Sequence, residues 1–142
     1  MRISALVLAF TIAAGPALIM PLLTNTAQAV QDQPVMIGGV ETVCTGVGSA
    51  KDNPAWSAYP VKLVFANPAG EDLAQVHVTV MQSGKPVVET DCDAPWVLMK
   101  LPAGSYNVSA SIGASMGKAS FSTKGGAQQT VTVMLPQSGQ AP

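Results

Sequence analysis

Apolar and polar side chains alternate along much of the chain after residue 60. The clearest run covers residues 74–81, where Val76, Val78 and Val80 are separated by polar residues. A period of two points alternate side chains to opposite faces of an extended chain. The pattern therefore predicts β-strands that each have one apolar face.

Residues 93–112 contain two such strands on either side of a tight corner. The corner, residues 101–104, has the sequence LPAG. Its proline fixes φ, and we expect its glycine, Gly104, to supply a positive φ. We also expect Tyr106 to bury its ring and send its hydroxyl back to a backbone group of the corner, as in the tyrosine corner of Greek-key sandwiches.

Turn sequences recur about every 8–12 residues, a spacing that predicts an all-β fold. We expect an antiparallel Greek-key β-sandwich of about seven strands, prealbumin-like or immunoglobulin-like. Residues 35–40 and 42–48 are expected to form one or two short edge strands, and residues 116–123 and 129–135 the last hairpin. The one helical feature expected is a turn with Pro54 at its first position. The predicted core consists of Leu63, Phe65, Val76, Val78, Val80, Trp96, Leu98, Tyr106, Val108 and Val133.

The N-terminus has the features of a secretory signal peptide. Arg2 is followed by a long apolar run that ends in the triplet Ala27-Gln28-Ala29. Small residues at the first and third positions suit the signal peptidase, so we predict a signal peptide at residues 1–29. An uncleaved membrane anchor is the alternative. The domain is expected to cover residues 30–136, and residues 30–34 at its start are expected to be loosely held. Residues 137–142 are expected to form a polar tail.

The distribution of charge along the chain argues against nucleic acid and anionic lipid as partners. Of the seven Lys and Arg residues only Arg2 is an arginine, and the eight Asp and Glu residues all follow it. The chain beyond the leader therefore has no basic stripe for nucleic acid or for anionic lipid. We expect a monomer that makes no stable membrane insertion after leader cleavage.

Cys44 and Cys92 are the two cysteines of a chain that is predicted to be exported. In an oxidising compartment such a pair is expected to form a disulfide. A metal pair and a redox dithiol are the alternatives, although the C-x-x-C spacing that favours them is missing.

A family resemblance is carried by the segment TDCDAPWVLMKLPAGSYNVSA, residues 90–110. This segment resembles the signature of the carboxypeptidase regulatory-like domain, a prealbumin-like sandwich in which a Thr-Asp turn leads to an aromatic residue and then to L-P-x-G-x-Y-x-V. The matching positions are Thr90, Asp91, Trp96, Leu101, Pro102, Gly104, Tyr106 and Val108.

A narrower likeness covers most of the mature chain, which is similar to small exported proteins of Gram-negative bacteria. The similar positions are Gly38, Gly39, Val43, Gly46, Val47, Gly48, Tyr59, 62–66, Asp93, Pro95 and Trp96. The chain departs from that pattern at Cys44 and Cys92, which implies that these two positions lie within disulfide reach. The resemblance implies fold and export, and it brings no established activity.

Trp56 and Tyr59 are the candidate recognition residues. They stand in the polar loop of residues 49–60. Exposed aromatic rings there would stack on a sugar or anchor an envelope protein. The alternative is that both rings are buried and plug one end of the sandwich.

Catalytic and metal chemistry find little support in the sequence. His77, the only histidine, lies mid-strand with no adjacent partner, and no G-x-S-x-G motif is present. Asp91 and Asp93 are read as a solvated turn rather than a Ca²⁺ pair. A Cu(I) site is conceivable only if the scattered methionines, Met81, Met99, Met116 and Met134, converge with His77.

The sequence as a whole predicts a non-enzymatic, exported β-sandwich module. We expect it to bind an envelope protein or carbohydrate, or to act as a structural accessory, in the periplasm or outside the cell, and to need no cofactor. The alternative is a small periplasmic carrier of a ligand or of copper.

Overall fold

A computed structural model describes residues 31–136. The predicted leader (1–29) and tail (137–142) lie outside these residues. The described part contains nine strands and two short 3₁₀ helices, Gly48–Asp52 and Pro54–Ala58. The strands are β1 (Val35–Ile37), β2 (Val40–Thr45), β3 (Val61–Ala66), β4 (Val76–Gln82), β5 (Lys85–Cys92), β6 (Trp96–Met99), β7 (Gly104–Ile112), β8 (Ser115–Thr123) and β9 (Gln129–Met134).

Two sheets form the fold. One has five strands in the order β1-β2-β6-β3-β9, and the other has four in the order β5-β4-β7-β8. Their inner faces enclose one apolar core, so the prediction of an all-β sandwich is confirmed. The strand β2 lies between β1 and β6 and is not the edge strand that we expected. Within residues 31–136 no helix has the length and apolar character needed to cross a membrane.

Most of the predicted core is confirmed. The inward residues of β3 and β4, including Leu63, Phe65 and Val78, are fully buried between the sheets. Tyr106 and Phe121 stack in the same core with ring centroids 5.6 Å apart. Leu98 is also fully buried, but on the outer face of the five-stranded sheet, and Trp96 on the same face is the exception because it is only half-buried.

The corner between β6 and β7 carries the chain from one sheet to the other. The Tyr106 hydroxyl donates a hydrogen bond to the carbonyl oxygen of Pro102 at 2.7 Å, as predicted. Gly104 does not have the positive φ that we expected. The space beside it is small instead, because a Cβ there would lie 2.7 Å from Nε2 of Gln82.

The last strand, β9, is in a different sheet from the predicted one. We expected a hairpin with β8, but β9 pairs with β3 in parallel, with Leu63 opposite Val131 and Phe65 opposite Val133. This placement covers the edge of β3, a strand rich in core residues. It also buries Val133 and Leu135 between the sheets.

The two sheets approach each other closely at both sides of the sandwich. At one side β8 lies beside β9, and at the other β1 lies beside β5. At each side a glycine faces a backbone carbonyl of the opposite sheet. A Cβ at Gly117 would collide with the oxygen of Met134, and one at Gly38 would lie 2.5 Å from the oxygen of Val87. A larger residue at either position would force the strands apart.

Cys44 in β2 and Cys92 in β5 form a disulfide that links the two sheets. Both are fully buried. The start of the described chain is held beside this link, since the Asp32 amide donates to the Cys44 carbonyl at 2.7 Å and Thr45 Oγ1 donates to the Asp32 carboxylate at 2.7 Å. The expectation of a loose start is therefore wrong for Asp32.

The corner can be tested with two substitutions at Tyr106. Tyr106→Phe removes only the hydroxyl bond, so the free energy of unfolding should fall by about 1 kcal/mol. Tyr106→Ala also empties the buried ring position and should lower it by about 3–5 kcal/mol. Urea unfolding measures both, and midpoints equal to that of the wild type would contradict this role of the corner.

The disulfide closes a sequence separation of 48 residues. In the chain-entropy model its reduction should lower the free energy of unfolding by about 4 kcal/mol. Urea unfolding of the wild-type protein with and without reductant measures this, with free thiols counted in the unfolded state. Two reactive thiols before reduction, or unchanged unfolding after it, would argue against the link.

Candidate ligand-binding cleft

The site begins with β6, whose four residues, WVLM, are all apolar. Val97 and Met99 point into the core between the sheets, while Trp96 and Leu98 point outward. Leu98 is fully buried, as predicted, but in a cluster on the outer face of the sheet, whereas Trp96 is only half-buried and the prediction of a core position for it was wrong. Four consecutive apolar residues do not indicate which side chains face the other sheet. The outer face of β6 therefore needs a cover of its own.

That cover is the segment of residues 48–60, here called the cover loop. Its second 3₁₀ helix has Pro54 in its first turn, as expected, and the Asn53 side chain caps it by accepting from the Ala55 amide at 3.0 Å. This turn directs Trp56 and Tyr59 down onto Val43 and Leu98, forming a second apolar cluster.

Trp56 and Tyr59 are 7% and 3% exposed, which corresponds to the buried alternative for these two residues. Their ring centroids lie 6.1 Å apart in an edge-on arrangement. The Trp56 indole N–H donates to the Ala50 carbonyl at 2.7 Å. Little of either ring is therefore exposed for stacking on a ligand, and of the two residues Trp56 lines the cleft described below.

A polar cluster fixes the far end of the cover loop. Lys100 Nζ lies 2.6 Å from Glu41 Oε2 and 5.0 Å from the centre of the Tyr59 ring. Burial, and then the charge of Glu41, raises the pKa of Tyr59 to about 12, so its hydroxyl stays protonated. The hydrogen bond from Lys100 lowers the pKa of Glu41.

Between the cover loop and the sheet there is an open cleft of about 200 Å³. Trp56, Trp96 and Leu98 give it an apolar floor and wall. Its other lining residues are Lys51, Asp52, Asn53, Ser57, Lys62 and Gln128. Four segments of the chain thus meet at this cleft: the cover loop, β3, β6 and the segment before β9.

Lys62 and Trp96 form the centre of the cleft. The Lys62 ammonium lies 3.4 Å from the centroid of the Trp96 ring, which is the geometry of a cation–π contact. On the β2 side, a Cβ at Gly46 would lie 2.7 Å from Cγ of Trp96, so glycine is needed there. Burial lowers the pKa of Lys62. Among residues 31–136 no carboxylate lies within 4.0 Å of its ammonium.

Two amide side chains at the rim retain free groups. Gln128 Nε2 donates to the Trp56 carbonyl at 2.8 Å, which leaves its oxygen free, while the Asn53 oxygen is used in capping, which leaves its NH₂ group free. The rim thus offers both donors and acceptors. No sequence pattern predicts this grouping, because Gln128 lies far along the chain from Asn53.

His77 has partners that we did not expect. Its Nδ1 lies 2.7 Å from Asp91 Oδ1 and its Nε2 lies 3.1 Å from Glu89 Oε1, both across the β4–β5 pairing. Asp91 is exposed to solvent, as expected, but it lies in β5 and not in a turn, whereas Asp93 lies in the exposed bend after β5. Ser111 is the cross-strand neighbour of His77 on β7, but both ring nitrogens are occupied by the acids of β5.

The residues considered for metal binding are dispersed. Met99 is fully buried in the core, while Met116 and Met134 are exposed on strands of different sheets. In the part of the chain that the structure describes, no group of three or more His, Cys, Asp or Glu residues is arranged to hold a metal ion.

A second, wider groove of about 560 Å³ lies beside β7 and β8. Several of its polar groups already pair with one another, Ser105 with Ser122 at 3.0 Å and Ser120 with Asn107 at 2.7 Å. Within residues 31–136, no charged residue lines it. It offers a ligand less orientation than the cleft beside Lys62 does.

No protein-family model matches this chain, and no curated protein sequence matches it significantly. The likeness to carboxypeptidase regulatory-like domains therefore stays a prediction from sequence, whereas the sandwich fold is observed.

The His77 cluster generates a pH prediction. The hydrogen bond that the His77 ring donates to the Asp91 carboxylate, and then its contact with Glu89, raises the pKa of His77 above its ordinary value of 6.5. Because the folded state binds this proton more tightly than the unfolded chain, the stabilisation is complete below pH 6.5 and is lost as the pH rises through the folded-state pKa.

An NMR titration of the imidazole should give a midpoint above 6.5. The midpoint should fall in Asp91→Asn, and His77→Gln should remove this part of the pH dependence of unfolding. A wild-type midpoint at or below 6.5 would contradict the cluster.

Proposed function

We propose that this protein is an exported, non-enzymatic β-sandwich module that binds a ligand as an accessory component of the cell envelope. The observation that carries the proposal is the cleft between the cover loop and the five-stranded sheet. The cleft is built on a scaffold whose two sheets are joined by a buried disulfide. A rigid scaffold that presents a small, mixed apolar and polar cleft is suited to recognition.

Export to the periplasm or beyond is supported by two features. The N-terminal sequence has the apolar run and the A-x-A triplet of a cleaved leader. The disulfide between Cys44 and Cys92 is compatible with an oxidising compartment. Membership of the carboxypeptidase regulatory-like family would be consistent with both and is part of the proposal.

A binding role, rather than catalysis, is favoured by the chemistry of the cleft. Of the described residues that line it, only Lys51, Asp52 and Lys62 carry charged side chains, and none is a histidine or a cysteine. The His77–Asp91 pair, the nearest approach to a general base, lies on the other sheet with both nitrogens bonded. The copper alternative gains no support from the dispersed methionines.

Native mass spectrometry tests the proposal. The full chain is produced in a Gram-negative host, purified from the envelope fraction without reductant or chelator, and incubated with an envelope extract. We expect the mass of residues 30–142 less two hydrogens, together with a complex of added mass that releases its ligand unchanged.

Two substitutions of exposed serines provide a matched comparison. Ser57→Trp should fill the cleft and abolish the complex, whereas Ser122→Trp, in the groove of the other sheet, should leave it intact. Recovery from the cytoplasm with residues 1–29 attached would contradict export. Release of a chemically altered ligand would contradict a non-enzymatic role, and a complex that survives Ser57→Trp would exclude the cleft.

A further inference from the structure

Lys62 makes no ion pair with any carboxylate of residues 31–136, and the charge of Asp72 acts on it only from beyond 4.0 Å. Its ammonium is half-buried in the cleft and lies over the Trp96 ring. Partial burial without an ion pair is unfavourable for a charged group, as the lowered pKa of Lys62 also indicates. The contact with the indole ring offsets only part of this. A bound anion would supply the missing partner.

The charge of the whole cleft agrees with an anionic ligand. Among the lining residues, Lys51 and Lys62 contribute two positive charges and Asp52 one negative charge. Asp72, which is not a lining residue, adds a negative charge that acts on Lys62 from beyond 4.0 Å. Asp52 is an exposed residue of the first 3₁₀ helix, at the rim of the cleft, where its charge would repel an anion. The ligand's negative group should therefore approach Lys62.

The remaining lining groups indicate which other chemical groups the ligand carries. Asp52 and the Gln128 oxygen accept hydrogen bonds, the Asn53 NH₂ group donates, and the rings below them are apolar. Hydroxyl groups both donate and accept, and the C–H faces of a sugar ring are apolar. A peptide C-terminus would supply the negative charge but not the hydroxyl groups that Asp52, Asn53 and Gln128 can bond.

We propose that the cleft binds a single carboxylate-bearing sugar unit, with Lys62 pairing its carboxylate and Asp52, Asn53 and Gln128 bonding its hydroxyls. This inference rests on the binding function proposed above and names its ligand class. The volume of about 200 Å³ is below the usual range of about 300–1,000 Å³ for drug-sized ligands. The ligand is therefore one acidic unit, presented at the end or side of a larger envelope polysaccharide.

Backbone amide NMR titration tests the inference with three defined probes: D-glucuronate, D-glucose and N-acetylglycine. Glucuronate should shift the amides of Lys62, Trp96 and Gln128 with a dissociation constant on the order of 1 mM, which is usual for one small unit. Glucose lacks the charge and N-acetylglycine lacks the hydroxyls, so each should bind at least about tenfold more weakly. Higher salt should weaken the binding of glucuronate.

Lys62→Gln removes the charge and keeps a polar side chain that is one atom shorter, so it should weaken glucuronate binding by about tenfold or more. Lys118→Gln changes an exposed lysine on the other sheet and should have no effect. The same spectra show whether each variant is folded. Gln128→Ala, a change at an exposed position, gives a second variant that should weaken binding without removing charge.

Each other outcome would overturn the inference in its own way. If N-acetylglycine binds as tightly as glucuronate, the cleft recognises a protein C-terminus. If glucose binds as tightly as glucuronate, the charge of Lys62 does not contribute to ligand binding. If no probe shifts the cleft amides, an acidic sugar is not the ligand, and the proposed binding function then stands or falls separately on the Ser57→Trp comparison by mass spectrometry.

Discussion

Strand β6 must bury apolar side chains on both of its faces, and much of the architecture depends on this constraint. Val97 and Met99 are covered by the four-stranded sheet, but Trp96 and Leu98 have no sheet above them. Leaving them in water would expose a large apolar patch at the centre of the five-stranded sheet. The cover loop removes most of that patch by placing Trp56 and Tyr59 on Leu98.

The candidate site is a consequence of where this cover ends. Trp56 and Tyr59 bury Leu98 but leave Trp96 half-buried, and Lys62 of the neighbouring strand lies over the uncovered indole ring. The uncovered end of β6 thus becomes a cleft with an apolar floor and a cation that has no carboxylate beside it. The disulfide and the tyrosine corner hold the sheets on which this arrangement depends.

Local patterns in the sequence predicted the parts of the fold that depend on local chemistry. Alternation identified the inward valines of β4, and the spacing of the corner predicted the bond from Tyr106 to a backbone group. Contacts between distant segments were not predictable in this way. The partner of β9, the acids beside His77 and the approach of Gln128 to Trp56 are all set by tertiary packing. The orientation of β6 was missed for a different reason, since four consecutive apolar residues carry no periodic signal.

The most direct test of this account is the position of the cover loop in solution. Nuclear Overhauser effects between the Trp56 indole protons and the methyl groups of Val43 and Leu98 report it without any substitution. The account predicts strong effects to both residues, because all three belong to one buried cluster. Absence of these effects, with the Trp56 signals averaged as in an exposed side chain, would contradict the covered face of β6 and with it the wall of the proposed cleft.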